Sequence, residues 1–449
     1  MALKLYVLSL SLLIGLASAQ GIAGKHPEVH PKLETYRCTK NGCNKQINYV
    51  VLDEGRHPIR QRRRPNLPCN KQDAPWNATL CSTAFFCAQE CLIDGIGEYA
   101  SYGVTTQDDS VTLDMVDNSG KKLSPRIYLL DSSKEEYEML QLNNMEIAFD
   151  VDVSKLPCGM NGGMYLSEMD KRGGSSQFNK AGARMGSGYC DAKCPVRPFI
   201  NGVANIDGKG LCCNEMDLWE SNRHGAQYTA HPCNLTGPYE CSGSGCQGVC
   251  DIQGCGNNPW LNGAPQFYGF GSEFAINTQK PFTVVTQFPA DQGKLTSYHR
   301  HYVQDGRRID PPASSREGLP HTNYVDDAYC VATERKGYRS VGATATMGAA
   351  LARGMVLAMS IWWNEDPTNH MNWLDSGSRG PCQATEGDPE YIQRVHPDAA
   401  ITMRNIRWGE IGSTTTNTLA ASNSISMLQR FFIHLVQIIS KANIFPGVF

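Results

Sequence analysis

Several features are scarce in this 449-residue chain, and each scarcity narrows what the protein can be. Charge of one sign is scarce: 41 Lys and Arg stand against 44 Asp and Glu, a net of −3. That balance offers no electrostatic footprint for a nucleic-acid or anionic-membrane partner. Long apolar runs are scarce too. The stretch 5–16 near the start is too short to cross a bilayer comfortably. Helical periodicity is confined to 82–92, with Cys87 and Cys91 stacked at i, i+4, and to 344–353, closed by Gly354. No internal repeat and no clear linker occur before about residue 414. The length allows one large domain or two average ones, and 41% hydrophobic residues are enough to bury a sizeable core.

Strand signals fill the space. The segments 124–131, 146–154, 282–288, 355–363 and 401–412 are rich in β-branched, aromatic or alternating residues. Asp305-Gly306 is a hairpin turn between 298–304 and 307–309. With 43 Gly and 24 Pro available for turns, long antiparallel strands in a sandwich are the expected architecture. Residues 1–19 read as an export signal: Lys4, the apolar stretch, then Ala17-Ser18-Ala19 for cleavage. All 18 cysteines follow it. Close pairs such as Cys87/Cys91 or Cys190/Cys194 would suit zinc in a reducing cell, whereas an even count in an exported chain implies disulfides. Asn77 and Asn234 open N-glycosylation sequons, consistent with a secreted, extracellular protein. The tail 415–449 is apolar but broken by Arg430, His434 and Lys441. It reads as a poorly ordered extension or residues outside the natural frame, with a membrane-contact helix or lipid-anchor signal as alternatives.

The chemistry is expected in CCNEMDLWESN, 212–222. Glu215 and Asp217 share one face of a strand, and Glu220 falls on the other. One bulged residue between Asp217 and Glu220 would bring all three carboxylates together. Two carboxylates across a groove suit glycosidic bond cleavage, one as acid and the other as nucleophile or base. They need no metal and no cofactor.

The same eleven residues closely resemble glycoside hydrolase family seven, the fungal cellulases, which carry E-M-D-x-W-E-x-N after a Cys-Cys pair. Further matches across 27–414 are EVHPKL, SPRIYLLD, DVDVSKLPCGMNGGMYLSEMD, GSGYCDAKCP, HPC at 231–233, GMVLAMSIWW, MNWLDSG and NIRWGEIGST. The likeness is greatest to the type I endoglucanases, including a subgroup in which VVLD precedes a His57-Pro58-Ile59 segment. The resemblance implies an all-β fold: a curved antiparallel β-sandwich, or jelly roll, with a long open substrate groove, few short helices and many disulfides. It makes 20–414 a catalytic domain acting on a β-1,4-glucan as a monomer, and residues after Cys382 offer no cellulose-binding module.

By residue, the resemblance assigns Glu215 as nucleophile, Glu220 as acid/base and Asp217 as the hydrogen-bonding partner that positions Glu215. It places His231 on the product side, Trp362 and Trp373 as sugar platforms, and Tyr165, Tyr189 and Asp191 along the groove. It also implies the pairings Cys38–Cys43, Cys69–Cys91, Cys81–Cys87, Cys158–Cys382, Cys190–Cys213, Cys194–Cys212, Cys233–Cys250, Cys241–Cys246 and Cys255–Cys330. Departures are Lys193 where the family usually has Gln, close to the glutamates; Asn257 where an aromatic is common; and no tryptophan within 54–64. The short segments 205–211, 246–250 and 376–382 imply an open groove, against the roofed groove of a cellobiohydrolase. Retention of all three carboxylates argues against a non-catalytic carbohydrate-binding jelly roll.

Overall fold

Alternation along the chain sorts side chains between a core and an outer face. Strand Met145–Asp152 buries Ile147, Phe149 and Val151 in the core, and strand Met355–Trp363 does the same with Leu357, Met359 and Ile361. The computed structural model describes residues 20–415, apart from Lys25, 71–75, Ala78 and Phe178. The export segment 1–19 and the tail beyond Thr415 lie outside the described residues. No described helix is long and apolar enough to cross a membrane.

The strands form two antiparallel layers. In the front layer, Gly42–Leu52, Arg126–Leu130, Met355–Trp363, Met160–Ser167, Glu215–Ser221, Ala226–His231 and Cys255–Asn257 are hydrogen-bonded in that order. The back layer runs Val104–Gln107, Ser110–Asp114, Ala400–Glu410, Met145–Asp152, Phe282–Gln287 and Tyr298–Gln304. Strand Lys32–Thr39 joins them, antiparallel to Gly42–Leu52 and parallel to the last strand, Ala400–Glu410. The result is the expected β-sandwich. Aromatic rings fill the space between layers: Trp219 of the front meets Phe149, Phe282 and Tyr302 of the back at centroid distances of 6.5, 5.9 and 6.1 Å.

Two helical expectations are met with one revision. Helix Ala343–Arg353 ends at Gly354, as expected. The first helix is shorter than expected, Ala84–Glu90. The Thr83 hydroxyl caps its start by accepting from Phe86 N–H, and the chain after Glu90 leaves to pair Cys91–Ile93 with Ile59–Gln61. Cys87 and Cys91 therefore do not stack on one helix; they bond to Cys81 and Cys69. All nine disulfides pair as the resemblance implied. Among the described residues, the groupings spaced like metal ligands are built on these bonded cysteines, which removes the zinc reading for them.

Candidate active site

The anticipated bulge is present and does what the spacing requires. Against the Ala226–His231 strand, Glu215 lies opposite His231, Asp217 opposite Thr229 and Glu220 opposite Gln227, with the register shifting between Asp217 and Glu220. On the other flank Trp219 faces Met164 and Asp217 faces Tyr165, which leaves Leu218 as the extra residue. Met216, Leu218 and Trp219 all point into the core. Glu215, Asp217 and Glu220 consequently line one groove on the outer face of the front layer, a cavity of ≈ 900 Å³. A bulge frees backbone groups, and the Leu218 carbonyl is taken by the buried Arg300 guanidinium, reaching across from the back layer. Arg300 sits against Tyr228 and Trp219, 4.7 and 5.6 Å from their ring centroids.

Two disulfides, Cys190–Cys213 and Cys194–Cys212, tie the residues just before the bulge to the 190–194 segment. That segment supplies Ala192 N–H, which donates to Glu215 Oε2 at 3.2 Å. Glu220 receives Asn161 Nδ2 at 3.1 Å and Gln227 Nε2 at 2.9 Å. Asp217 Oδ2 meets His231 Nε2 at 3.1 Å, while His231 Nδ1 donates to the Asp251 carbonyl at 2.8 Å. This revises the expected pairing of Asp217 with Glu215. His231 is a diagonal neighbour of Asp217 across the ladder, within reach of its carboxylate. Asp217 instead reaches Glu215 through its charge. Gly254 packs directly on His231 in a left-handed conformation, φ +64°; a Cβ there would come within 2.4 Å of the imidazole.

Electrostatics separate the roles these groups can take. Burial, then the charges of Asp217 and Asp191, hold the Glu215 carboxyl well above the usual carboxylate range. Burial and then Asp217 push Glu220 up to about 7. Burial opposes the charge on His231, but the hydrogen bond and charge of Asp217, with Glu215, raise it to about 10, so the ring is an imidazolium at neutral pH. Burial likewise opposes the charge on Lys193, and Glu215, Glu220, Asp191 and Asp217 together keep it protonated. Glu215, Asp217, Glu220 and Asp191 thus share one groove with His231 and Lys193, and burial together with Asp217 favours a proton on the glutamate pair.

All ten groove residues expected from the sequence line this cavity. Tyr189 donates its hydroxyl to Asp191 Oδ2 at 2.7 Å, and its ring lies edge-on to Tyr165 at 6.4 Å. Trp362 and Trp373 lie against each other, 6.3 Å between centroids and 26° between planes, as one continuous aromatic wall. Lys193 Nζ lies 6.0 Å from the Trp362 ring centroid. Asn77 and Asn234 are exposed and away from the groove. Sequence reasoning missed Asn161 and Gln227, although Asn161 lies inside the quoted CGMNGG run. It also missed Asp53, the acid of VVLD. Asp53 is buried between Arg126 at 3.0 Å and Arg197 at 2.5 Å, and Arg126 in turn covers the Tyr189 ring at 3.6 Å. Although burial works against its charge, those two guanidiniums hold Asp53 ionised far below the ordinary carboxylate range.

Comparison with known proteins places this geometry. The family model for glycosyl hydrolase family 7 matches residues 22–415. The chain is 49% identical over 409 residues to the endoglucanase EG-1 of Humicola insolens, covering 90% of this chain and 93% of that one. The solved native structure of the Humicola insolens endocellulase EGI superposes with a TM-score of 0.84 at 49% identity, over 87% of this chain and 99% of that one. A family 7 cellobiohydrolase from Daphnia pulex superposes at 0.83 with 33% identity, over 88% and 100%.

Proposed function

The chain belongs to glycosyl hydrolase family 7, and from that membership we propose that it is a secreted, retaining endo-β-1,4-glucanase. It cuts internal bonds of cellulose and related β-glucans through a covalent glycosyl-enzyme. The observation that carries the chemistry is the bulge at Leu218, which turns Glu215, Asp217 and Glu220 to one groove, with the proton affinities of Glu215 and Glu220 raised. Endo attack is supported by relatedness, 49% identity to an endoglucanase against 33% to a cellobiohydrolase, and by the short segments 205–211, 246–250 and 376–382.

In the first step Glu220, protonated, gives its proton to the glycosidic oxygen while the Glu215 carboxylate attacks the anomeric carbon. The carbon–oxygen bond to the leaving chain breaks, and a glucosyl ester on Glu215 forms. A water then enters. Glu220, now ionised, takes its proton, the water oxygen attacks the anomeric carbon, and Glu215 departs as carboxylate. The glutamate pair must hold one proton in the resting enzyme, which its burial and the charge of Asp217 favour. The Asp217–His231 ion pair supplies fixed charges beside the nucleophile, and Trp362 and Trp373 give sugar rings an apolar face. The catalytic unit is 20–414, working as a monomer without metal or cofactor.

Two variants test this. Glu220→Gln should lower hydrolysis of soluble cellulose by roughly 10²–10⁴-fold, since general acid/base assistance is of that size. It should still form the glycosyl-enzyme from an aryl cellobioside with a good leaving group. Glu215→Gln should be inactive on both. Proton NMR of the wild-type reaction should show the β-anomer first. Appearance of the α-anomer first, or near-normal turnover by either variant, would overturn the assignment.

A further inference from the structure

Behind the groove wall, one buried carboxylate joins the segment that carries Trp373 to the strands that carry the acid/base machinery. Asp375 closes the short helix Asn372–Asp375, two residues after Trp373. It is 2% exposed and does not line the groove. Its Oδ2 accepts from Gly159 N–H at 2.8 Å and from Asn222 Nδ2 at 2.6 Å. Gly159 leads into strand Met160–Ser167, whose second residue, Asn161, donates to Glu220. Asn222 directly follows strand Glu215–Ser221, two residues after Glu220, and its Nδ2 also donates to the Met160 carbonyl at 3.0 Å. The two strands pair with each other at this point, Gly163 opposite Glu220 and Gly162 opposite Ser221. A single oxygen of Asp375 therefore meets both strands that frame Glu220.

The partners of Asp375 are themselves fixed. Asn222 is fully buried, its Oδ1 accepts from the N–H groups of His224 and Gly225 at 2.8 and 3.0 Å, and its carbonyl accepts from the Tyr268 hydroxyl at 2.8 Å. Gly225 packs so closely that a Cβ there would lie 2.9 Å from the Leu374 carbonyl oxygen and 3.0 Å from Asp375 Cβ. On the far side, Cys382 N–H donates to the Asp375 carbonyl at 2.9 Å, and Cys158–Cys382 fastens that end of the loop covalently. The disulfide fixes where the loop leaves the sheet. The Asp375 side chain, two residues from the indole, fixes how the loop is turned. A buried hydrogen-bonded network of this kind rigidifies the segments it joins.

We propose that Asp375 is a positioning residue that sets the Trp373 sugar platform relative to Glu220. The proposal rests on the reading of Glu220 as acid/base and of Trp373 as a surface on which a sugar ring lies. A ring stacked on Trp373 has its glycosidic oxygen placed by the indole, and the proton on Glu220 must reach that oxygen. Asp375 touches neither the sugar nor Glu220. It acts through Trp373 on one side and through the strand ends at Gly159 and Asn222 on the other, so that platform and proton donor keep one separation.

The test is a double-mutant cycle on kcat/KM for cellopentaose, with Asp375→Ala and Trp373→Ala made singly and together in the full chain. Asp375→Ala should lower kcat/KM by roughly tenfold to a hundredfold, the size of effect that a displaced substrate produces. In the Trp373→Ala background the same change should cost about twofold or less, because the platform it positions is gone, whereas the melting temperature should fall equally in both backgrounds. Asp375→Asn keeps an oxygen for the two donors and should recover most of the lost kcat/KM. If Asp375→Ala does not fold, Asp375→Ser replaces it in the cycle, since its hydroxyl is too short to reach both donors. An equal loss of kcat/KM in the two backgrounds would reduce Asp375 to a stabiliser of the fold and overturn the proposal, as would an undiminished kcat/KM in Asp375→Ala. An undiminished kcat/KM in Trp373→Ala would remove the platform and the proposal with it. Failure of the endoglucanase reading would show separately, as a wild type that does not hydrolyse cellopentaose.

Discussion

Replacing Glu220 by glutamine should stabilise the protein at neutral and alkaline pH but not in acid, although it removes the proton proposed for catalysis. Burial and then Asp217 raise this carboxyl from an ordinary 4.5 to about 7, despite two amide donors. The folded chain therefore holds the proton more tightly than the unfolded chain. Below the unfolded value both states are protonated and the cost vanishes. It grows as pH rises from there to about 7, and above that it is complete. A displacement of this size corresponds to about 3 kcal/mol at most. The side chain opens on the groove and keeps part of its water, so about 1–2 kcal/mol is the working figure. For a chain of this length that is about 1–3 °C in melting temperature. Glutamine keeps one acceptor for Asn161 or Gln227, and any change in those hydrogen bonds is independent of pH. The readout is therefore the difference between the two proteins' melting temperatures, taken near pH 8 and again near pH 4. A difference that is the same at both would refute the reasoning.

Other perturbations follow from the same geometry. Lys193→Gln should move the alkaline limb of the kcat/KM profile upward, because the lysine charge lowers the proton affinity of both glutamates; an unmoved limb would mean that Lys193 does not act on them. Asp217→Asn should return His231 from about 10 toward an ordinary imidazole value, since Asp217 is its main source of positive-charge stabilisation; titration of the ring by NMR measures it. Arg300→Met should leave the buried Leu218 carbonyl unpaired, costing about 1–3 kcal/mol in denaturant unfolding, and kcat should fall more than KM changes. Recovery of kcat in Arg300→Lys would show that a donor at the bulge is what matters.

The site was legible where chemistry and backbone geometry sit within a few residues. The spacing of Glu215, Asp217 and Glu220 demanded one extra residue, and Leu218 is that residue. Helix Ala343–Arg353 and the turn at Asp305-Gly306 carry their own signals and appear as read. Partners from distant strands left no such trace. Arg300 reaches Leu218 from 82 residues away. Asp53 gathers Arg126 and Arg197 over 73 and 144 residues. Strand Met160–Ser167 evaded pattern reading because it is buried on both faces and so shows no alternation. Lys32–Thr39 and much of Gly42–Leu52 are polar and half-open, reading as loop until the sheet supplies their neighbours.

The position of the last strand bears on how the molecule comes into being. Ala400–Glu410 is hydrogen-bonded on one side to Ser110–Asp114 and on the other to Met145–Asp152, and it runs parallel to Lys32–Thr39 near the start of the described chain. During synthesis the back layer is thus a sheet with a missing middle until nearly the whole chain has emerged. The strands that await it expose unpaired edges, and the hydrophobic side chains beneath them stay wet. Pairing over more than 350 residues makes closure slow, and it follows translation rather than accompanying it. A stop codon before residue 400 would leave every residue of the groove encoded but the back layer open, and the product should aggregate or be degraded rather than fold into a shorter enzyme.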